Sequence, residues 1–304
     1  MHESGPYGAA DVSDAAGKCL LQGGEFRRIV LRSPAGRTAG AEDTTNMADM
    51  INGKLQLPSV TLAAVSSVKI YETIRAMEYS MRGIDFGDAV LITHEKPRGL
   101  PKTIRYAHCE KIDNIDKFNH LMVYDLSPYI HTDFILLVHY DGFVIHPENW
   151  DDDFLSYDYI GSPWPLPAND YAYRDGAGRI CRVGNSVSIR SKRLLEFPSQ
   201  HHLEWVPVDD GFYNEDIFLC CHSRLAMEEE GLAFAPFELA VRFGREHPLP
   251  ENAGVEPFVF HKWRGENADY PRFTAPKDRV KNTIRPLLFW RRTRGWKQRH
   301  GVAP

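Results

Sequence analysis

The stretch T-D-F-I-L-L-V-H-Y-D-G-F-V-I-H-P, Thr132 to Pro147, decides the fold class. Phe134 to Val138 is an unbroken run of five apolar residues, followed by the polar His139-Tyr140-Asp141-Gly142. A short continuous apolar run predicts a strand buried on both faces, and such strands belong to parallel sheets covered by helices. Ligands of open α/β sheets bind just beyond the carboxyl ends of the strands. Asp141 stands at such an end, and Gly142 lets the backbone turn close to whatever the carboxylate holds. A plain D-G turn would end a strand in the same way, so the motif has to be weighed with the rest of the chain.

Upstream, S-V-T-L-A-A-V-S (Ser59 to Ser66) predicts a strand. Ser67 is placed to cap a helix with Ile70, Ile74, Met77 and Met81 on one face. Gly83 ends that helix, and Asp88 to Thr93 is the next strand. This β-α-β unit closes only with parallel strands and a right-handed crossover. A third strand over Thr103 to Ile112 follows, then a helix from Ile115 to Leu126 with Phe118, Met122 and Leu126 inward. The Asp141 strand comes next. Strands alternating with helices predict an α/β nucleotide-binding sandwich, its central sheet mostly parallel and flanked by helices.

After Pro147 the segments become short and rich in aromatics. Val187 to Arg190 predicts a strand, Ser191 starts a helix, and a second helix runs from Asn214 to Gly231 with Ile217, Phe218, Cys221 and Leu225 on one face. The expected organisation is a loose or disordered extension over 1–55, one domain over 56–275, and a basic, aromatic tail over 276–304.

The chain of 304 residues carries 36 basic and 41 acidic residues, a formal charge of −5, which argues against a general nucleic-acid binder. No apolar run reaches the roughly 20 residues of a membrane helix, and the N-terminus lacks the basic-then-apolar order of a secretory signal. The five cysteines, Cys19, Cys109, Cys181, Cys220 and Cys221, include no C-x-x-C pair and read as buried thiols of a reducing cytoplasm. The expected location is cytoplasmic. The tail from Lys277 to His300, with Phe289, Trp290 and Trp296 among its basic residues, could touch an anionic membrane surface peripherally or dock on the acidic body.

Five motifs follow one another in order. They are Asp141-Gly142-Phe143; Tyr157-Asp158-Tyr159-Ile160-Gly161-Ser162-Pro163-Trp164; Gly184-Asn185 with Ser188-Ile189-Arg190-Ser191; Glu215-Asp216 at a helix start; and Phe258-Val259-Phe260-His261. Together they resemble a family of glycosyltransferase-like domains of the GT-A type, with D-G-F, Y-D-Y-I-G-x-P-W, G-N-G-G-F-S-x-R, E-D and F-x-F-H signatures. The resemblance spans Ser59 to His261. It implies transfer of a sugar from a nucleotide-sugar donor, UDP-linked, to the hydroxyl of a glycan or small-molecule acceptor.

The chemistry explains the residue types. Loss of a nucleotide diphosphate builds negative charge that a divalent cation stabilises as a Lewis acid. Asp141 offers a hard oxygen and His261 a nitrogen, a pair suited to Mn²⁺ more than to Mg²⁺. Glu215-Asp216 matches the acidic pair beneath the donor sugar in inverting relatives, with Asp216 ahead of Glu215 as the base that takes the acceptor's proton. Acids in a first helical turn are also favoured by the helix dipole alone. Gly184 and Asn185 would meet sugar hydroxyls, Trp164 would stack on a sugar face, and Ser66, Ser67 and His94 would contact the nucleotide.

Two departures stand out. His139-Tyr140-Asp141 replaces the usual D-x-D pair, and Gly184-Asn185-Ser186-Val187-Ser188 is one residue shorter than the signature. They motivate an alternative, a non-catalytic nucleotide-sugar or glycan-binding relative acting as scaffold or partner. A metal phosphoesterase would need clustered carboxylate and histidine ligands, and the sequence shows only scattered ones.

Overall fold

The computed structural model describes residues 50–169, 172–205 and 214–275. In chain order the elements are β1 (Met50–Ile51), β2 (Lys54–Val65), α1 (Ile70–Ser80), β3 (Ile84–Thr93), β4 (Arg105–His108), α2 (Ile115–His120), β5 (Phe134–Leu137), β6 (Tyr159–Pro163), β7 (Val183–Ser191) and α3 (Lys192–Gln200). They continue with α4 (Glu215–Ile217), α5 (Arg224–Glu229), α6 (Phe237–Phe243), β8 (Gly244–Arg245) and β9 (Val259–Phe260).

The main sheet runs β4-β3-β2-β5-β7-β6, with β1 paired antiparallel on β2. β4, β3, β2 and β5 are parallel, β7 runs antiparallel to β5, and β6 antiparallel to β7. The expected fold class is therefore the observed one. From β2 the chain moves outward to β3 and β4, then returns to place β5 on the other side of β2. Strand order thus reverses between β2 and β5, and in open α/β sheets the crevice at such a reversal is where ligands bind.

Burial of β5 shows why its apolar run reads as it does. Leu136 and Val138 enter the core layer holding Leu62, Met77, Phe143 and Phe260, while Ile135 and Leu137 enter the opposite layer with Ile92, Met122 and Leu126. Alternate side chains fill both faces, so no polar position interrupts the strand.

Element limits differ from the sequence-based ones for local reasons. β2 begins at Lys54, before Pro58, and its pairing with β3 shifts register between Leu57 and Thr61, which accommodates a proline inside a strand. With β1 and the start of β2 lying at 50–55, the folded body begins ahead of residue 56. β3 begins at Ile84 rather than Asp88, and β4 keeps only Arg105–His108 of the longer expected strand. Ser67 does not cap α1. The cap position is Lys69, in the left-handed region at φ 50°, and the Ser67 Oγ accepts from the Ile112 N–H at 2.9 Å.

Two of the expected helices are interrupted by π-helical turns, after α2 over Leu121–Asp125 and after α4 over Phe218–His222. Each adds a residue to a turn and rotates the apolar stripe. Hence Phe218, Cys221 and Met227 are buried while Ile217 and Leu225 are only partly so. Ser191 caps α3 as expected, accepting from the Leu194 N–H at 3.0 Å. Cys109, Cys181, Cys220 and Cys221 are free and buried, in keeping with the thiol reading. Among the described residues no helix is long and apolar enough to cross a membrane. The expectations for 1–49 and for the basic tail over 276–304 fall outside the described residues.

Candidate functional site

The loop after β5 is fastened to the segment around β9. Asp141 O accepts from the Lys262 N–H at 2.7 Å, and Phe143 O from the Phe260 N–H at 3.3 Å. Gly142 makes this approach feasible, because a Cβ there would lie 2.6 Å from Val187 Cγ2 and 2.8 Å from His261 Cδ2. Two sequence-distant motifs thereby meet, with His261 Nε2 3.8 Å from Asp141 Oδ1. Asp141 was expected to bring its glycine toward a ligand; the close neighbour is His261.

Behind His261 lies Glu246, which sequence reading passed over. Its carboxylate is buried, accepts from Lys262 Nζ at 2.5 Å, and has Oε1 3.7 Å from His261 Nδ1. Burial works against the charge of Glu246, but His261 and Lys262 beside it hold its carboxyl far below the usual range. Burial likewise opposes protonation of His261, yet Glu246 and Asp141 outweigh it and raise the imidazole. His139, whose ring stacks 5.6 Å from that of His261, is pushed down to about 4 by burial and by its neighbouring imidazole. It is neutral at pH 7.

The Gly184-Asn185 motif sits inside β7 rather than in a loop. Its pairing jumps from Gly161↔Ser188 to Ser162↔Gly184, leaving Asn185, Ser186 and Val187 as a bulge. Bulges re-aim side chains and are common beside active sites. Asn185 adopts φ 115°, unusual for a non-glycine residue. Three bonds hold it: its Nδ2 donates to Glu246, its Oδ1 accepts from the Val187 N–H at 2.9 Å, and its carbonyl accepts from Tyr159 Oη at 2.6 Å. Both ends of the amide expected to meet sugar hydroxyls are thus engaged internally.

On the other flank of the bulge, Ser186 Oγ donates to Glu215 Oε1 at 2.6 Å. The same oxygen accepts from Arg190 Nη2 at 3.0 Å, in an ion pair whose side chains are 0% and 2% exposed. Glu215 is therefore committed to a buried pair, and Asp216 is the acid left with chemistry open to it. Among the described residues, the Asp216 Oδ1 accepts from the adjacent Ile217 N–H, at 2.9 Å. Burial, with Glu215 and Glu246 close by, pushes the Asp216 carboxyl up to about 7. A side chain that is partly open to solvent yet titrates near neutrality is suited to proton transfer.

Trp164 is 3% exposed and its ring stacks on Tyr173 at 4.9 Å between centroids. Its edge lies over Gly184, where a Cβ would come within 2.0 Å of Cζ2. Trp164 is thus a packing corner, its ring covered by Tyr173 and Gly184, rather than the sugar platform expected of it. Gly184→Ala should therefore overpack this corner and cost about 1–3 kcal/mol. Urea unfolding measures this, and wild-type stability in the variant would mean that the ring moves aside freely.

Ser66, Ser67 and His94 lie at the carboxyl ends of β2 and β3, on the rim of the reversal crevice. Ser66 Oγ is bonded within its own turn to Val68, and His94 Nδ1 is 3.5 Å from Thr93 Oγ1. Lys69 links this rim to the Asp141 loop, its Nζ 5.4 Å from the centre of the Tyr140 ring. Sequence reasoning also missed Arg190 as a site residue, although an arginine between Ile189 and Ser191 in an expected strand was the visible signal.

Among the described residues, no group of three or more His, Cys, Asp or Glu side chains is set to hold a metal ion. Asp141 and His261 remain as a pair. Their 3.8 Å separation can be bridged by one ion with ligands about 2.1 Å away, the remaining positions going to water and phosphate oxygens. The donor set, one carboxylate and one imidazole, fits such an ion.

A family model described as "Protein of unknown function (DUF5672)" matches residues 102–261, just over half of the chain. The chain belongs to that family. The DUF5672 match ends on His261 and encloses Asp141, the bulge, Glu215-Asp216 and Glu246. No curated protein matches the chain. Among solved structures it is similar to one titled "Crystal structure of a glycosyltransferase involved in the glycosylation of the major capsid of PBCV-1". The two share 13% identity over 70% of this chain and 96% of that one, with a TM-score of 0.42.

Proposed function

We propose that this DUF5672 protein moves a sugar from a nucleotide-sugar donor to a hydroxyl acceptor, with inversion and with Asp216 as general base. The observation that carries the reading is Asp216 itself, a carboxyl raised to about 7 beside Glu215 and Glu246, in the short helix packed on the bulged strand β7. In the step, the acceptor oxygen bonds to the anomeric carbon as its proton passes to an Asp216 oxygen. The bond from that carbon to the diphosphate breaks, and the nucleotide diphosphate leaves with the electron pair. Glu215 is held by Arg190 and Ser186 and is not the base. Asp141 and His261 would hold Mn²⁺ or Mg²⁺, which when bound supplies Lewis-acid stabilisation of the leaving diphosphate. Ser66, Ser67 and His94 are placed for a UDP-type nucleotide, and the Gly184-Asn185 bulge shapes the floor beneath the sugar.

The test is nucleotide release from a panel of nucleotide sugars with Mn²⁺ present. No binding and no turnover with any donor would overturn the proposal. Asp141→Ala should abolish Mn²⁺-dependent donor binding while the melting temperature stays near wild type. The side chain is 17% exposed and its ion-pair partner His261 stands 3.8 Å away, so it contributes little packing. A wild-type metal response in that variant would remove Asp141 from the site.

A second reading, a nucleotide-sugar or glycan-binding scaffold, is favoured by the internal engagement of Asn185 and the burial of Trp164. Tight Mn²⁺-nucleotide binding without turnover across many acceptors would select it.

A further inference from the structure

One carboxylate touches both halves of the site. Glu246 Oε2 accepts from the amide of strained Asn185, while Oε1 takes Lys262 Nζ and faces His261 Nδ1 at 3.7 Å. His261 Nδ1 is buried and has no hydrogen-bond partner at ordinary length, so Glu246 is the acceptor it faces. The other ring nitrogen, Nε2, faces Asp141 Oδ1 at 3.8 Å. A buried N–H without an acceptor costs about 1–3 kcal/mol, so the proton of a neutral ring belongs on Nδ1, toward the carboxylate. That leaves the Nε2 lone pair aimed at Asp141. Histidines that bind metals commonly donate their second N–H to a carboxylate, which fixes tautomer and ring orientation.

We propose that Glu246 is a positioning residue that fixes the His261 imidazole as its Nδ1–H tautomer and presents Nε2 to a divalent cation shared with Asp141. The inference rests on the metal site of the proposed function. The Asn185 bulge is part of the device, because a carboxylate can orient a ring only if its own second oxygen is anchored. The φ of 115° at Asn185 is the conformation that brings the amide to it. Strain of this kind persists where the surroundings hold it, often at functional sites. Glu246 also pairs with Lys262, which would give it a purely structural role.

Two measurements separate these roles. In the metal-free ¹⁵N-labelled protein, taken to the high-pH plateau of the ring's own titration, the long-range ¹H–¹⁵N spectrum should show His261 protonated on Nδ1; the His261→Gln spectrum assigns the signal. An Nε2–H ring in the wild type would overturn the proposal, and this readout needs neither metal nor a Glu246 variant. Mn²⁺ alone, titrated and followed by electron paramagnetic resonance of the free ion, gives the second. Glu246→Gln should weaken Mn²⁺ about 10- to 100-fold, the usual effect of removing such a partner. Lys262→Met should leave affinity within about twofold. Equal losses in both variants would assign Glu246 to the ion pair and overturn the positioning role. Should wild type bind no Mn²⁺, the metal site of the proposed function fails, and with it the presentation to a cation, while the spectrum still decides the tautomer.

Discussion

Asp216→Asn should lower turnover by about 10²- to 10⁴-fold, the typical share of general-base catalysis, while donor affinity stays near wild type. It should at the same time raise the melting temperature at pH 8. The sign follows from linkage. The folded-state carboxyl is raised to about 7, whereas an unfolded aspartate titrates near 3.9. Between those values the folded protein holds a proton that the unfolded chain has released, so stability falls as pH rises through that window. Above about pH 7 the wild type carries the full cost of an ionised Asp216 near Glu215 and Glu246, tempered by its partial exposure. Asparagine removes the charge and keeps an oxygen for the Ile217 N–H. Turnover of the wild type should rise with pH through about 7 as the base is freed. Were Asp216 only a helix-dipole acid, the variant would instead lose roughly 0.3–1 kcal/mol and turn over almost normally. Melting curves at pH 5 and pH 8 with single-turnover rates distinguish the two outcomes.

Arg190→Met should destabilise the fold by about 3–5 kcal/mol, the cost of stranding one member of a buried ion pair. The guanidinium is fully buried, donates to Glu215 at 3.0 Å and to Ser188 Oγ at 3.0 Å, and lies over the Tyr159 ring. Without it, Glu215 keeps only Ser186 and the Asn119 side chain's hold on its own N–H. Adding Glu215→Gln to Arg190→Met should recover part of the loss, since both charges are then gone. The exposed Lys54–Asp85 pair is the control, with side chains 38% and 51% exposed; Lys54→Ala should change stability by less than about 1 kcal/mol. Urea unfolding reads all of these. An Arg190→Met variant within 1 kcal/mol of wild type would mean that Glu215 finds another partner or takes a proton.

How far the sequence carries can be seen residue by residue. The apolar run before Asp141, the β-α-β spacing and the Ser191 cap are local signals, and each produced its element. The π turns after α2 and α4 had no signal, because one extra residue per turn is set by packing against neighbours rather than by propensity. Trp164 and Asn185 are expected from the sequence to meet a sugar, but whether a ring or an amide points to a ligand or inward depends on what lies across from it. Across from Trp164 lies Gly184, and across from Asn185 lies Glu246. Glu246 itself sits in an unremarkable R-E-H-P context that nothing local marks.

The sequence by itself determined the layers and the strand-end placement of Asp141, because a strand buried on both faces must be apolar throughout and its chemistry can begin only where it ends. The tertiary structure decided which distant groups Asp141 meets. The reversal of strand order and the bulge in β7 gather His261, Glu246, Glu215 and Asp216 from separate segments. Only once gathered do their charges act on one another in a site shielded from water, where Asp216 is raised and Glu246 lowered although both are carboxylic acids.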